Sequence, residues 1–387
     1  MGFPLLAFIE AVAFLPGILS DASMPRWCVM AVGVPLICWV DPRALIAPVR
    51  WMTLCGLGWA LLTISYSPDP LGGYLQIFFM VVLCGVMIAA AELDTIDGVM
   101  TALALGVGVS SVFCVFQYFG FRPVPQQNVE PAGLFWNSLV VAEFAAPVVV
   151  WLAVKRKWVL AAICVVPVLL CHSRIAAVMV AAGMIYAWRP SQKWAKPALI
   201  TILILIAAAS TFALGYWKLN SAGIRVVLWM ATVMAITPFG QGLGWFHVAH
   251  YLEETAHSDL LQMAAELGIG SVFLFAVPVV IMLRSRGDHA ERAAFFAVCL
   301  NACVSLPIHL PASAFLAAVL AGFLASDRRV VHDCRYAGRN RDGEGFQWCR
   351  AARWAVGGGS RCLGGLFPIR SSSPHDAPIR AAEGLRT

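Results

Sequence analysis

The chain has 387 residues, 60% of them hydrophobic and only 12% charged, with a mean hydropathy of +0.79. Soluble domains carry roughly 25% charge, so this composition excludes a water-soluble globular protein and predicts an all-α, polytopic integral membrane protein. The net charge of +6 does not argue for nucleic acid as a partner, because 328–387 hold 11 Arg against 5 Asp and Glu and the rest of the chain is neutral.

Apolar runs near ~20 residues match the ~30 Å hydrocarbon core of a bilayer. They fall at 4–20, 26–41, 50–66, 71–91, 98–119, 134–154, 157–171, 174–188, 197–216, 268–284, 291–307 and 311–327, which predicts about twelve membrane spans. The first run starts almost at Met1 with no basic segment before it, so it reads as a retained span rather than a cleavable signal. Most of the 12 cysteines lie inside apolar runs and none forms a CxxC pair, so they read as small buried hydrophobes and not as disulfides or metal ligands.

Lys and Arg collect in cytoplasmic segments of membrane proteins. With the N-terminus inside, 11 of the 16 basic residues before 328 fall on the cytoplasmic side. This predicts cytoplasmic termini and an outward-facing insert at 217–267. Five basic residues run against the bias: Arg26, Arg122, Arg174, Lys218 and Arg225. Anion binding is one reason for placing a cation there. The external segment 120–133 is Pro-rich and reads as a surface loop with little helix. Beyond 326 the composition turns to Arg, Gly and Ser without hydrophobic periodicity, which predicts a disordered tail at 328–387 and a membrane domain at 1–327.

Several residues carry potential chemistry. Glu143 lies within a span, where a carboxylate is either functional or hydrogen-bonded between helices. Arg174 opens a span directly after Ser173, and it either anchors the helix end at the interface or binds an anion. Arg225 sits on a predicted amphipathic helix with Ile224, Val227, Leu228 and Ala231 at helical spacing. Its guanidinium either touches lipid headgroups or grips a phosphate through its fork of N–H donors. Gly240, Gly242 and Gly244 alternate after Pro238 and permit tight turns. They match neither a dinucleotide fingerprint nor a P-loop. His257 precedes a predicted helix from Ser258 that sets Asp259, Gln262 and Glu266 on one face. A histidine there is either structural or well placed to take a proton. His247, His250 and His257 lack a metal-ligand spacing.

In this order the segments resemble the O-antigen ligase and O-antigen polymerase superfamily of bacterial membrane glycosyltransferases. The resemblance covers about 130–327. It rests on GLFWNSLVVAE with Asn137, on Ser173-Arg174 opening a span, on Arg225 and Trp229 followed by Pro and GQGLGWF, and on AHSDLLQMAAELGIG with His257 and Glu266. The family implies a GT-C-like fold of around twelve spans with one large periplasmic loop. It implies transfer of a glycan from a polyprenyl diphosphate carrier to an acceptor hydroxyl at the periplasmic face of the bacterial inner membrane. Arg174 and Arg225 would bind the donor diphosphate and His257 would take the acceptor's proton. Asn137, Gly242, Gly244 and Glu266 would contact substrate. No metal, nucleotide sugar or other cofactor is implied. The acceptor expected is lipid A core, as in lipopolysaccharide biosynthesis. A polymerase of the same superfamily acting on a growing glycan, a protein O-oligosaccharyltransferase and a polysaccharide transporter are the alternatives.

Overall fold

A computed structural model of the chain describes residues 2–13, 24–37, 41–122, 130–135, 137–187, 217–249, 256–285 and 289–326. The described residues are all-helical, apart from an isolated bridge between Leu45 and Ser326. The helices are α1 (Gly2–Val12), α2 (Met24–Ile37), α3 (Ala47–Thr63), α4 (Pro70–Ala91), α5 (Asp97–Tyr118), α6 (Ser138–Val154), α7 (Trp158–Cys164) and α8 (Val166–Leu170). They continue with α9 (Arg174–Ala187), α10 (Trp217–Ala235), α11 (Trp245–Ala249), α12 (Asp259–Leu267), α13 (Ile269–Arg284), α14 (His289–Val304) and α15 (Pro311–Leu324).

Three helical stretches are long and apolar enough to cross a membrane: Ala47–Tyr66, Pro70–Ala91 and Asp97–Tyr118. Shorter apolar helices match most of the remaining predicted spans. The predicted span at 197–216, half of the 120–133 loop and the tail at 328–387 lie outside the described residues. The run 157–171 forms two helices, α7 and α8, meeting at Val165. Pro167 lacks an amide hydrogen and starts the second piece.

The core is built around α6. It is apolar on every side and buried along nearly its whole length, packed by α5, α7, α8, α9 and α14. A helix apolar all round must be surrounded, whether by protein or by lipid. Small residues let other helices approach closely. A side chain at Gly322 would meet the carbonyl of Met87, where α15 packs on α4, and one at Gly106 would meet Ala11, where α5 packs on α1.

The connections sort into two sets that contact within themselves. In one, Lys155 lies 3.6 Å from Asp97 and 3.4 Å from Glu291, Lys157 donates to Thr101, and Ser326 donates to Ala91. In the other, Tyr66 donates to Phe239, Ser67 to Leu243, Gln117 to Gly133 and Arg26 to Leu134. This division matches the alternation of segments predicted from charge. The described helices α4, α5 and α6 each join a connection of one set to a connection of the other.

Candidate functional site

The second set of connections gathers the insert predicted at 217–267. On α10 the outward residues are apolar: Val226, Val227, Met230, Val233 and Met234 are exposed. Of the apolar residues at helical spacing, Leu228 is buried while Ile224 and Val227 are exposed. The inward face runs Arg225, Leu228 and Thr232, at i, i+3 and i+7. A helix with its cation inward and its hydrophobes outward suits a lipid-facing surface rather than an aqueous one. Arg225 accordingly points into the protein. It is half-buried and donates from Nη1 to the carbonyl of Val304 at 3.4 Å.

The C-terminal end of α14 is the meeting point. Glu143 on α6 is only 2% exposed and accepts from Ser305 Oγ at 2.7 Å and from Asn301 Nδ2 at 3.1 Å. Arg225 and Asp259 both lie within electrostatic reach of that carboxylate. Ser258 donates from Oγ to the carbonyl of Cys303 at 2.9 Å, and the Asp259 amide donates to Ser305 at 3.0 Å. So the residues directly after His257 and the side chain of Arg225 dock on one turn, Cys303 to Ser305.

His257 itself is half-buried and has φ of 50°. A left-handed backbone is uncommon for a residue other than Gly and costs of order 1–3 kcal/mol. Here the neighbours impose it. Ser258 caps α12 by accepting from the Leu261 amide at 3.3 Å while its hydroxyl is tied to α14.

The predicted face of α12 is buried as expected, with Asp259, Gln262 and Glu266 all inward. Asp259 accepts from the Ile308 amide at 2.8 Å, and its other oxygen lies 2.6 Å from Nδ1 of His309. Burial raises the Asp259 carboxyl above its usual range, against the pull of His309 and the Ile308 amide. Burial acts to lower His309, but the bond to Asp259 and the fields of Asp259 and Glu266 outweigh it and leave the imidazole raised. Glu266 is raised by burial and accepts from the Phe246 amide at 3.2 Å and from Gln262 at 3.5 Å.

The glycine turn after Pro238 serves packing. Gly240, Gly242 and Gly244 have φ of 82°, 98° and 89°. A side chain at Gly242 would fall 2.6 Å from Ser67 Cα, and one at Gly244 would fall 2.8 Å from the Asp69 carbonyl. The turn is wedged between the α3–α4 connection and the end of α12, where the Gln241 and Gly242 amides donate to Ala265 and Glu266. Asp69 caps α4 through Gly72 at 3.0 Å and lies 3.1 Å from His247 Nδ1. Asn137 likewise spends its side-chain oxygen on a cap, accepting from the Leu139 amide at 2.8 Å at the start of α6.

Arg174 is the first residue of α9, which packs on α6 and α14. It is half-buried, and its Nε is buried with no hydrogen-bond partner among the described residues. The structure thus brings together Arg225, Glu143 and the flank of His257, sets Glu266 further along α12 beside the turn that holds Phe246, and places Arg174 on a helix against the same core. Gly242 and Gly244 sit beside this cluster as packing positions, and Asn137 is a helix cap. Sequence reasoning missed Asn301, in the last turn of α14, and Ser305 and His309, which stand between α14 and α15. Their signal was a polar triad at a predicted outer helix end, in NACVSLPIHLP. It also missed Asp69, whose signal was Asp followed by Pro at a helix start.

No protein-family model matches this chain, and no curated protein matches its sequence.

Proposed function

We propose that this protein is a membrane glycosyltransferase of O-antigen ligase type, moving a glycan from a polyprenyl diphosphate carrier to an acceptor hydroxyl, with lipid A core as the acceptor. The observation that carries this reading is the docking of Arg225 and of the residues after His257 on a single turn at the end of α14. An inward cation on a lipid-facing helix suits a diphosphate whose hydrocarbon tail stays in the bilayer. Arg225 and Arg174 hold the diphosphate and stabilise the charge that grows on the leaving oxygen. The Nε of Arg174, buried with no hydrogen-bond partner among the described residues, is a donor that suits a phosphate oxygen. The acceptor oxygen attacks the anomeric carbon, the carbon–oxygen bond to the diphosphate breaks, and the hydroxyl proton passes to His257. Glu143 holds Ser305 beneath this turn and balances the charge of Arg225.

In this reading the chain spans the bacterial inner membrane about twelve times in a GT-C-like arrangement, with cytoplasmic termini and the site facing the periplasm. Separation of the connections into two contacting sets supports the alternation. The test is glycan transfer by purified protein in the presence of a chelator. Lys supplies a charge without the planar fork, so Arg174→Lys and Arg225→Lys should each impair transfer at unchanged protein level. His257→Ala should lower turnover by about 10²–10⁴-fold, more than it weakens donor binding. Full transfer by all three variants would overturn the proposal.

A further inference from the structure

A cavity of about 70 Å³ lies between α4, α12, α13 and the turn after α14. Its polar lining is Gln76, Asp259, Gln262, Glu266 and His309, and its apolar walls include Met263 and Phe275. Three features restrict what it can take. First, its lining among the described residues holds no Arg or Lys. His309, the one potential cation among those residues, is matched to Asp259 at 2.6 Å, and Glu266 adds a second carboxyl. An anionic group there would meet carboxyl side chains and no Arg or Lys of the described lining, so the diphosphate is assigned to the arginines instead. Second, Gln76 is 8% exposed and its Nε2 is buried with no hydrogen-bond partner among the described residues. An amide donor left unmade in a buried place costs about 1–3 kcal/mol, so the site calls for an acceptor oxygen. Third, Asp259 accepts from the Ile308 amide and lies 2.6 Å from Nδ1 of His309, so in the neutral imidazole with its hydrogen turned to Asp259 the acceptor is Nε2. His309 is 35% exposed, so its ring is reachable from outside.

A donor and an acceptor set among apolar walls are what a hydroxyl needs, since it accepts one hydrogen bond and donates another. Phe275 adds an aromatic side chain to the lining, a residue type suited to the C–H surface of a sugar ring. We propose that this cavity is a subsite for an uncharged, hydroxyl-bearing sugar of one of the two glycan substrates, with Gln76 donating to the hydroxyl and His309, positioned by Asp259, accepting from it. This rests on the glycosyltransferase reading, because the turn that holds His309 is continuous with the one that docks Arg225 and the flank of His257. The subsite is separate from the proton acceptor of the transfer step and involves no bond making.

Sugar binding can be measured without turnover. The full chain in lipid nanodiscs is titrated with methyl glucoside, N-acetylglucosamine and glucuronate, and occupancy is read by saturation-transfer NMR. The neutral sugars are expected to bind and glucuronate to bind at least about tenfold more weakly, a difference within reach of one unpaired buried charge. Gln76→Leu, which keeps size and removes the donor, is expected to weaken the neutral sugars about tenfold. If that variant does not fold, Leu260→Trp, which fills the cavity from α12, should abolish binding. Displacement of the bound sugar by carrier-linked donor assigns the subsite to the donor glycan, and displacement by free core oligosaccharide assigns it to the acceptor. Displacement by neither, equal binding of glucuronate, or unchanged binding in the folded variants would overturn the subsite. Sugar binding in a preparation that transfers no glycan would overturn the transferase reading and leave the subsite in place.

Discussion

Substitution of Gly242 by Ala separates packing from ligand contact at a position that the family resemblance gives to substrate. Gly242 has φ of 98°, and a Cβ would sit 2.6 Å from Ser67 Cα and 2.9 Å from the Ser67 amide nitrogen. Holding an L-residue in the left-handed region costs about 1–2 kcal/mol. The clash is with backbone, which cannot swing aside as a side-chain tip does, and overpacking of this kind typically costs about 1–3 kcal/mol. Alanine also restricts the unfolded chain, which returns about 0.4–1 kcal/mol. The expected loss is therefore about 1–5 kcal/mol, felt where the α3–α4 connection meets the end of α12. Gly270→Ala is the control, since nothing lies within 4 Å of a Cβ there and its φ is ordinary. Thermal unfolding of both variants in detergent, followed by tryptophan fluorescence, reads the difference. Gly242→Ala should melt clearly lower than wild type and Gly270→Ala close to it. If Gly242→Ala melts with wild type yet transfers no glycan, the packing argument fails and the backbone of that turn touches substrate.

Asp69→Ala should destabilise the start of α4 by about 0.5–2 kcal/mol, since it removes the cap on Gly72, and should also release His247; the protease sensitivity of the α3–α4 connection measures this. The tie between α12 and the turn after α14 should weaken in alkali. His309 is raised above its ordinary 6.5 and Asp259 is raised as well, so both contributions are full below the ordinary values and fade as pH climbs through the folded ones. Wild type should therefore lose more thermal stability than Asp259→Asn between pH 6 and pH 9, and equal loss in the two would refute the assignment.

The helices of the bundle were legible because each is a run of apolar residues, and lipid and protein interior select the same composition. The face of α12 was legible too, because Asp259, Gln262 and Glu266 repeat at helical spacing. What escaped was long-range pairing. Nothing local in the sequence says that Glu143 will meet Ser305, or that His309 will close on Asp259, since those partners are separated by 162 and 50 residues. The break between α7 and α8 was marked by Pro167, but a proline near a helix start and one inside a span look alike until the backbone is seen.

The most direct measurement is binding of undecaprenyl diphosphate to the full chain in nanodiscs. Wild type should bind it, and undecaprenyl monophosphate should bind more weakly because it offers fewer oxygens to the two arginines. Arg225→Lys and Arg174→Lys, confirmed as folded, should each lose about tenfold or more, the value of a charge-assisted hydrogen bond. Binding by both Lys variants equal to that of wild type, or no binding by wild type, would contradict the claim that these arginines hold a carrier diphosphate.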